Sequence, residues 1–592
     1  MSFAALQAAW AEWLVEGLVA AGVRRAVVSP GSRSTPLVLA LARAETAAKL
    51  ELQIVIDERA AAFVALGQAR ATGRPGLLVC TSGTAGAHYL PALIEASEAR
   101  IPLLALTADR PPELQGRGAS QTVDQVHFYG HHVRRSFDVG TATAEMRAVD
   151  GLLRTAMLAV HASRWPDPGP VHLNVPFRKP LEPDGAAHPA VAALSERVAA
   201  TLGAGLATPA LPDAVPGEEA LDDVAARLLA KRRGLIVLGP ASPHAAAPAD
   251  AVAAVAESTG FPVLAEATCQ HRFAGRGGGT MFDVSEPAFG APAFRERCAP
   301  ELVLQIGAAP TGRALGRWIA TSGVERIVLA RHGVPEAFNQ ASRIVVGDLG
   351  PTLRGTAERV RAAGSPPVDA SWRDEIAAVA ARSRELARAA AGPGSQGEAV
   401  RIAVEAVPEG GWLMVGNSMP VRDVDLYVPA SNRGIGVLSQ RGAAGIDGLI
   451  AGAAGAASAS GRPTVLLLGD VSFQHDVGGL AAAARVEIPL VVVTLSNGGG
   501  RLFELLPVRR LPGVEPTFER FFLTRPGLDA TAAAAAFGVR SSRTEGAGEL
   551  ENALSEALDA PGASVIEAVV QPDGADAVRR TSEELDAWLR DR

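Results

Sequence analysis

The apolar positions of this chain change period repeatedly along its length. Leu6, Trp10, Trp13, Leu14 and Leu18 recur at helical spacing, so the chain is predicted to open on an amphipathic helix. Short β-branched or apolar runs follow at Ala26–Val28, Ile54–Ile56, Leu77–Val79 and Leu103–Leu106, with helical stretches between them. Strand and helix in alternation imply a parallel sheet wrapped by helices. This first unit ends near Val171–Pro176. Residues 183–217 are rich in Ala, Pro and Gly and read as a linker, part of which (Ala190–Leu202) is compatible with a helix. A second series has strands at Leu235–Leu238, Leu302–Ile306, Arg326–Leu329 and Ile344–Val346. A seam near Ala363–Asp369, marked by Gly364 and Pro366-Pro367, precedes a third. That series has a helix around residues 396–407 and strands at Trp412–Val415, Val465–Leu468, Leu490–Thr494 and Val565–Val570. The predicted fold class is α/β, with three consecutive doubly wound parallel-sheet domains over residues 1–185, 218–362 and 394–592. No period of 20–50 residues suggests a solenoid.

Composition narrows this reading. A chain of 592 residues is too long for one hydrophobic core. Its 48% apolar and 20% charged residues fit a soluble globular protein. The net charge of -7, without a basic stripe, points away from nucleic acid. Cys80, Cys269 and Cys298 are odd in number and form no CxxC pair, so neither a disulfide framework nor a zinc knuckle is expected. A reducing, cytoplasmic setting is the simplest context. The first residues carry Glu12 and Glu16 and no basic leader, unlike a signal peptide. No run of about 18 apolar residues predicts a membrane span. The cluster His127, His131 and His132 near Tyr129 lacks metal-site spacing and reads as a loop.

The candidate chemistry begins at two strand ends. Leu466-Leu-Leu-Gly469-Asp470 is a buried strand that stops on a carboxylate, at the edge of the sheet where open α/β folds bind ligands. Leu490–Thr494 stops at Leu495-Ser-Asn497-Gly-Gly-Gly500. Asp470 and Asn497 are 27 residues apart, which fits one crossover helix between neighbouring strands. An Asp carboxylate, an Asn carbonyl and a backbone carbonyl from the glycine loop suit a hard cation, with diphosphate oxygens completing a magnesium octahedron. A Gly-Asp strand end alone is more often a plain turn. The second strand end at this spacing resembles the thiamin-diphosphate signature, Gly-Asp-Gly followed by Asn-Asn. Val471 replaces its third glycine and Ser496 its first asparagine. By that resemblance Asp470, Asn497 and Gly499 hold Mg2+ (or Mn2+), and Gly469 and Val471 border the diphosphate.

Thiamin chemistry needs a carboxylate that hydrogen-bonds the aminopyrimidine and favours its imino form, which takes the thiazolium C2 proton. Glu58 fits: it follows Ile54-Val-Ile-Asp57, read as the end of a strand, and opens a helix. On position alone it is a dipole-favoured helix start. The loop Thr81-Ser-Gly-Thr84-Ala-Gly86 beside it resembles the one thiamin enzymes place next to their glutamate. In such enzymes the first and third domains bind the two ends of the cofactor from different subunits. The resemblance therefore implies a homodimer or homotetramer with sites at the subunit interface.

A narrower resemblance rests on Ser29-Pro-Gly-Ser32-Arg33-Ser-Thr-Pro36, Thr107-Ala-Asp-Arg110-Pro-Pro-Glu-Leu114, Gly118-Ala-Ser120-Gln121, Gly416-Asn-Ser418-Met-Pro-Val-Arg422 and Arg441-Gly-Ala-Ala-Gly-Ile446-Asp-Gly448. Together these resemble the 2-succinyl-5-enolpyruvyl-6-hydroxy-3-cyclohexene-1-carboxylate synthases of menaquinone biosynthesis. The resemblance implies that 2-oxoglutarate is decarboxylated and its succinyl carbanion added to isochorismate. Both substrates are dicarboxylates, which suits guanidinium forks. By resemblance Arg422 and Arg441 hold 2-oxoglutarate, and Ser32, Arg33, Arg110, Ser120, Gln121 and Arg313 hold isochorismate. Ser418 touches the cofactor, Ile446 bends it into its reactive shape, and Leu502, Phe503 and Leu506 line its pocket. Three features depart from the family: Ser120 stands for a common Asn, Ala314 for a basic residue found in some members, and Asn432–Gln440 reads as extra sequence. Arg433 rivals Arg441, which is preferred because the Gly-Ala-Ala-Gly-Ile-Asp-Gly tail follows it. The alternative function is another thiamin carboligase, such as an acetolactate-forming type, whose monocarboxylates would not need so many basic positions. A scaffold without catalysis fits less well, since Glu58 and Asp470 are both present. Ser29-Pro-Gly-Ser-Arg is not the glycine turn of a dinucleotide fold.

Overall fold

The computed structural model describes residues 3–183, 185, 188–274, 280–364 and 368–592. Asp184, Ala186 and Ala187 of the first predicted linker and Pro366-Pro367 of the second seam lie outside the described residues. Three parallel sheets follow one another along the chain. The first contains β1 (Arg25–Ser29), β2 (Glu51–Ile54), β3 (Gly76–Cys80), β4 (Leu103–Asp109), β5 (Arg135–Asp138) and β6 (Pro170–Pro176). The second contains β7 (Gly234–Leu238), β8 (Val263–Ala265), β9 (Leu302–Ile306), β10 (Glu325–Ala330) and β11 (Arg343–Val346). The third contains β12 (Trp412–Val415), β13 (Gly436–Ser439), β14 (Thr464–Gly469), β15 (Leu490–Ser496), β16 (Arg540–Thr544) and β17 (Ala563–Val569).

The strand orders are β2-β1-β3-β4-β6-β5, β11-β10-β9-β7-β8 and β13-β12-β14-β15-β17-β16. All three therefore share one plan, in which the chain builds outward on one side of the first strand and then returns to the other. That reversal leaves a crevice between the C-terminal ends of the first and third strands of each sheet. In the first sheet the crevice lies beyond the paired ends Ser29 and Cys80. In the second it lies beyond Leu238 and Ile306. In the third it lies beyond Val415 and Leu467 and is bordered by Gly416-Asn417-Ser418 and Gly469-Asp470.

The chain divides into two compact units, Met1–Leu211 with Gln440–Ser460 and Gly478–Val486, and Pro212–Ser439 with Gly461–Val477 and Glu487–Arg592. In the first unit the opening helix Phe3–Ala20 is buried around most of its circumference rather than on one face. Helices Thr35–Thr46 and Met146–Ala162 pack on it, and helix Pro189–Gly203 from the predicted linker covers more of it, with Trp13 Nε1 donating to Ser195 Oγ at 3.2 Å. Helix Glu58–Thr72 packs on helix Leu449–Ser460 through glycines. A Cβ at Gly67 would stand 2.0 Å from the Gly452 carbonyl oxygen, and one at Gly455 would stand 2.1 Å from that of Val64. Only glycine permits this backbone approach.

Two local expectations are corrected. The strand read at Ile54–Ile56 is β2, ending at Ile54, and Ile54 and Ile56 are 48% and 80% exposed. Glu58 therefore follows a short turn rather than a strand. The crossover between β14 and β15 is not one helix but three short pieces, Asp470–His475, Val477–Gly479 and Leu480–Ala483. Among the described residues no helix is long and apolar enough to cross a membrane.

Candidate active site

In the second unit, β14 delivers Asp470 to the crevice as the first residue of a helical turn. Its Oδ1 accepts from Val471 N at 2.7 Å, and its Oδ2 accepts from Gly498 N at 3.0 Å and Gly499 N at 2.9 Å. Burial raises the Asp470 carboxyl above its usual range, an effect these three N–H donors oppose. Gly498 and Gly499 take φ of 79° and 112°, which a side chain would strain, and a Cβ at Gly499 would lie 2.1 Å from the Leu523 carbonyl oxygen. The loop thus folds back over Asp470 because it is glycine. Asn497 is buried at the end of β15; its Nδ2 donates to Gln396 Oε1 at 2.8 Å, while its Oδ1 is buried and accepts no hydrogen bond. An orphaned carbonyl beside a carboxylate fits a divalent cation, since a buried acceptor without a donor is otherwise costly. Among the described residues no group of three or more His, Cys, Asp or Glu side chains is placed to hold a metal. The Asp, Asn and backbone-carbonyl set is of a different kind.

On the other lip of this crevice Ser418 has φ 72° and ψ -129°, a backbone state that L-residues seldom hold without support. Arg422 supplies support, donating from Nη1 to the Ser418 carbonyl at 2.6 Å. Burial lowers the Arg422 pKa, Glu286 opposes that shift, and Arg313 adds to it, so the two guanidinium groups repel one another. Arg313 opens the helix that follows β9 and donates to the Leu505 carbonyl at 3.1 Å. Leu502, Phe503 and Leu506 are half-buried in the segment after the glycine loop, with Phe503 edge-on to Phe522.

In the first unit, Glu58 is half-buried at the start of its helix, behind the Asp57 cap that accepts from Arg59 N at 2.9 Å. Arg33, only 5% exposed, donates to the Phe177 carbonyl at 2.6 Å, and Arg110 donates to Ser82 Oγ. Burial lowers the pKa of both, and Arg110 depresses that of Arg33 further. A cavity of about 590 Å3 opens here, lined by Asp109, Arg110, Gln115, Thr122, Gln125 and Asn174 among others. Ser32, Ser120 and Gln121 are exposed, and Gln121, at φ 51°, lies against Gly83. Arg441 and Ile446 lie in the same unit, on a loop whose Gly442 and Ala443 N–H groups donate to the Glu95 carboxylate at 3.0 and 2.6 Å. Arg70 pairs with that carboxylate at 2.8 Å in a buried setting.

The model for the thiamine pyrophosphate enzyme N-terminal TPP-binding domain matches residues 9–128, and that for the C-terminal TPP-binding domain matches residues 430–568. The chain is 44% identical to a 2-succinyl-5-enolpyruvyl-6-hydroxy-3-cyclohexene-1-carboxylate synthase of Sorangium cellulosum, over 97% of this chain and 95% of that one. It is 40% identical to the synthase of Myxococcus xanthus, over 94% of each chain. The chain belongs to this synthase family. The synthase of Geobacillus kaustophilus is 37% identical over 96% of each chain. The fold is also that of a candidate thiamin diphosphate-dependent enzyme from Mycobacterium smegmatis solved by X-ray, at TM-score 0.65 and 21% identity over 93% of this chain and 97% of that one. The chain is a thiamin-diphosphate enzyme of the carboligase type.

Within the synthase family's frame, the departures in this chain take on structural meaning. Val471 still serves Asp470 through its backbone N–H, which needs no glycine. Ala314 packs on the apolar core around Phe289 and Trp318, and its N–H donates to Glu286 at 3.0 Å. The residues read as extra sequence before Arg441 contain β13, an edge strand paired with β12. Arg433 is spent on structure: its guanidinium donates to the carbonyls of Val404, Glu405 and Val407 at the end of helix Gln396–Ala406. Polar residues without a sequence signal stand around the candidate residues of each unit: Ser82, Gln125 and Asn174 in the first, and Glu286, Gln396 and Asp423 in the second. Their partners are distant in sequence, as Asn497 is 101 residues from Gln396, so no local motif signals them.

Proposed function

We propose that the chain decarboxylates 2-oxoglutarate and adds the succinyl unit to isochorismate, giving 2-succinyl-5-enolpyruvyl-6-hydroxy-3-cyclohexene-1-carboxylate and carbon dioxide. The observation that carries the substrate reading is the pairing of arginines. Burial and the neighbouring Arg110 lower the Arg33 pKa, with Asp109 in part opposing, and burial lowers that of Arg422, which Glu286 opposes and Arg313 adds to. Like charges held together out of water are costly, and a bound carboxylate relieves that cost. This many guanidinium groups in family-matching positions suits two dianionic substrates, and a monocarboxylate carboligase has less use for them.

In this reading, Arg33 and Arg110, with Ser32, Ser120 and Gln121, hold isochorismate, and Arg313 completes its site. Arg422 and Arg441 hold 2-oxoglutarate. Thiamin diphosphate, when bound, supplies the electron sink for decarboxylation. Glu58 holds the proton of the aminopyrimidine ring, and Ile446 props the cofactor in its bent shape. Leu502, Phe503 and Leu506 keep water from the reacting carbon. Ser418, Gly469 and Val471 border the diphosphate, and Asp470, Asn497 and the Gly499 carbonyl hold Mg2+ or Mn2+. The three functional regions are residues 1–185 for the pyrimidine, 218–362 as the central domain and 394–592 for the diphosphate. The exposed apolar Ile54 and Ile56, beside Glu58, support burial against a second copy, as a homodimer or homotetramer with shared sites in the cytoplasm.

Steady-state kinetics of two variants tests the substrate assignment. Arg422→Lys is expected to raise KM for 2-oxoglutarate by about tenfold or more, the worth of one charge-assisted fork. Arg33→Lys is expected to do the same for isochorismate. Equal effects on both substrates in each variant would contradict the division of roles.

A further inference from the structure

Asn497 is held by a hydrogen-bond chain that runs away from the crevice. Asp423, fully buried on helix Met419–Tyr427, accepts on Oδ2 from Gln396 Nε2. Gln396, also fully buried, is the first residue of helix Gln396–Ala406, and its Oε1 accepts from Asn497 Nδ2 at 2.8 Å. The polarity of this chain is fixed at its far end. Burial pushes the Asp423 carboxyl up to about 7, so at pH 8 it is ionised and only accepts; Gln396 then turns its NH2 toward Asp423 and its carbonyl toward Asn497. Asn497 must then present its NH2 to Gln396, which leaves its Oδ1 as the atom without a hydrogen bond. That is the one side-chain atom of Asn497 able to bind a cation. Without the chain the amide is free to rotate and offer its NH2 instead.

We propose that Gln396, oriented by Asp423, is a positioning residue that sets the amide of Asn497 with its oxygen toward the divalent metal. The inference rests on the reading of Asp470 and Asn497 as metal ligands. Groups behind a metal ligand commonly change affinity ten- to a hundredfold when removed.

The test is Mn2+ binding to the full-length protein at pH 8 in saturating thiamin diphosphate, followed by electron paramagnetic resonance of free Mn2+. Four proteins are compared: parent, Gln396→Met, Asn497→Ala and the double variant. Gln396→Met fills the same space without a donor or acceptor amide. It is expected to weaken Mn2+ binding about tenfold or more. In the Asn497→Ala background the same change is expected to have no further effect, because Gln396 would act only through Asn497. A purely structural role would instead weaken binding equally in both backgrounds, and that result overturns the proposal. Mn2+ affinity of Gln396→Met within twofold of the parent also overturns it. If Asp470→Ala and Asn497→Ala themselves leave Mn2+ binding intact, the metal-site reading fails first. Should Gln396→Met not fold, Asp423→Leu applies the same comparison from the other end of the chain.

Discussion

Asp470 is legible in sequence because two features coincide, a buried strand ending on a carboxylate and a second strand end 27 residues later. Glu58 carries no such local mark; only the loop Thr81–Gly86 beside it gives it meaning. Its replacement is correspondingly decisive. Glu58→Gln keeps the size and loses the carboxyl that can give and take a proton, so turnover is expected to fall at least about a hundredfold with the fold intact. Unchanged turnover would remove Glu58 from its assigned role. The rivalry of Arg433 and Arg441 was open in sequence because both follow similar strings. The structure engages Arg433 with three helix-end carbonyls, a use that depends on where helix Gln396–Ala406 stops. Asp423 illustrates a residue whose importance comes wholly from burial. Its carboxyl is pushed up to about 7 from 3.8 by desolvation, so the folded protein holds a proton that the unfolded chain releases near pH 4. Its contribution therefore lowers stability as pH rises from about 4 to about 7 and is level above. Asp423→Asn is expected to flatten that part of the stability profile, measured by denaturant midpoints at several pH values. Parallel profiles for the two proteins would contradict the assignment.

At the scale of elements, the central strands are readable, whereas of the edges only β11 is met where the sequence places it. The runs predicted at Leu77, Leu103, Leu302, Val465 and Leu490 all lie in strands with neighbours on both sides. Such strands are covered on both faces and are written in continuous apolar residues. Of the strands without a sequence prediction, β5, β8, β13 and β16 are sheet edges, and β6 is marked in sequence only as the end of the first unit. Arg135-Ser-Phe-Asp and Arg540-Ser-Ser-Arg-Thr are largely solvent-facing and need no apolar run. The edge strand β2 was misplaced by following Ile54 and Ile56, which are exposed. Helix packing was equally silent, since glycine in a helix reads as a weakness. Gly67→Ala tests its purpose. The added Cβ would meet the Gly452 backbone at 2.0 Å, so the unfolding midpoint should drop, by about 3 kcal/mol in stability. Gly151→Ala is the control: in helix Met146–Ala162 a Cβ there meets nothing within 4 Å, and the change should be neutral or stabilising. Equal gains in both would show that helix propensity, not close approach, governs these sites.

At the scale of the whole molecule, one topology used three times places a ligand crevice at the C-terminal edge of each sheet. The first crevice is bordered by Ser32, Arg33 and the Thr81 loop, and the third by Ser418 and Asp470. The second leads through Gly307–Gly312 to Arg313. The three-domain plan was visible in the alternation of strand and helix. The partition into two compact units was not, because it depends on helix Leu449–Ser460 joining the first unit through glycine contacts. The central claim is a carboligase for dianionic substrates. It is tested most directly by supplying the protein, with thiamin diphosphate, Mg2+ and isochorismate, either 2-oxoglutarate or pyruvate and measuring carbon dioxide release and product mass. The expected result is release from 2-oxoglutarate with formation of the succinyl adduct, and little from pyruvate; preference for pyruvate would contradict the account.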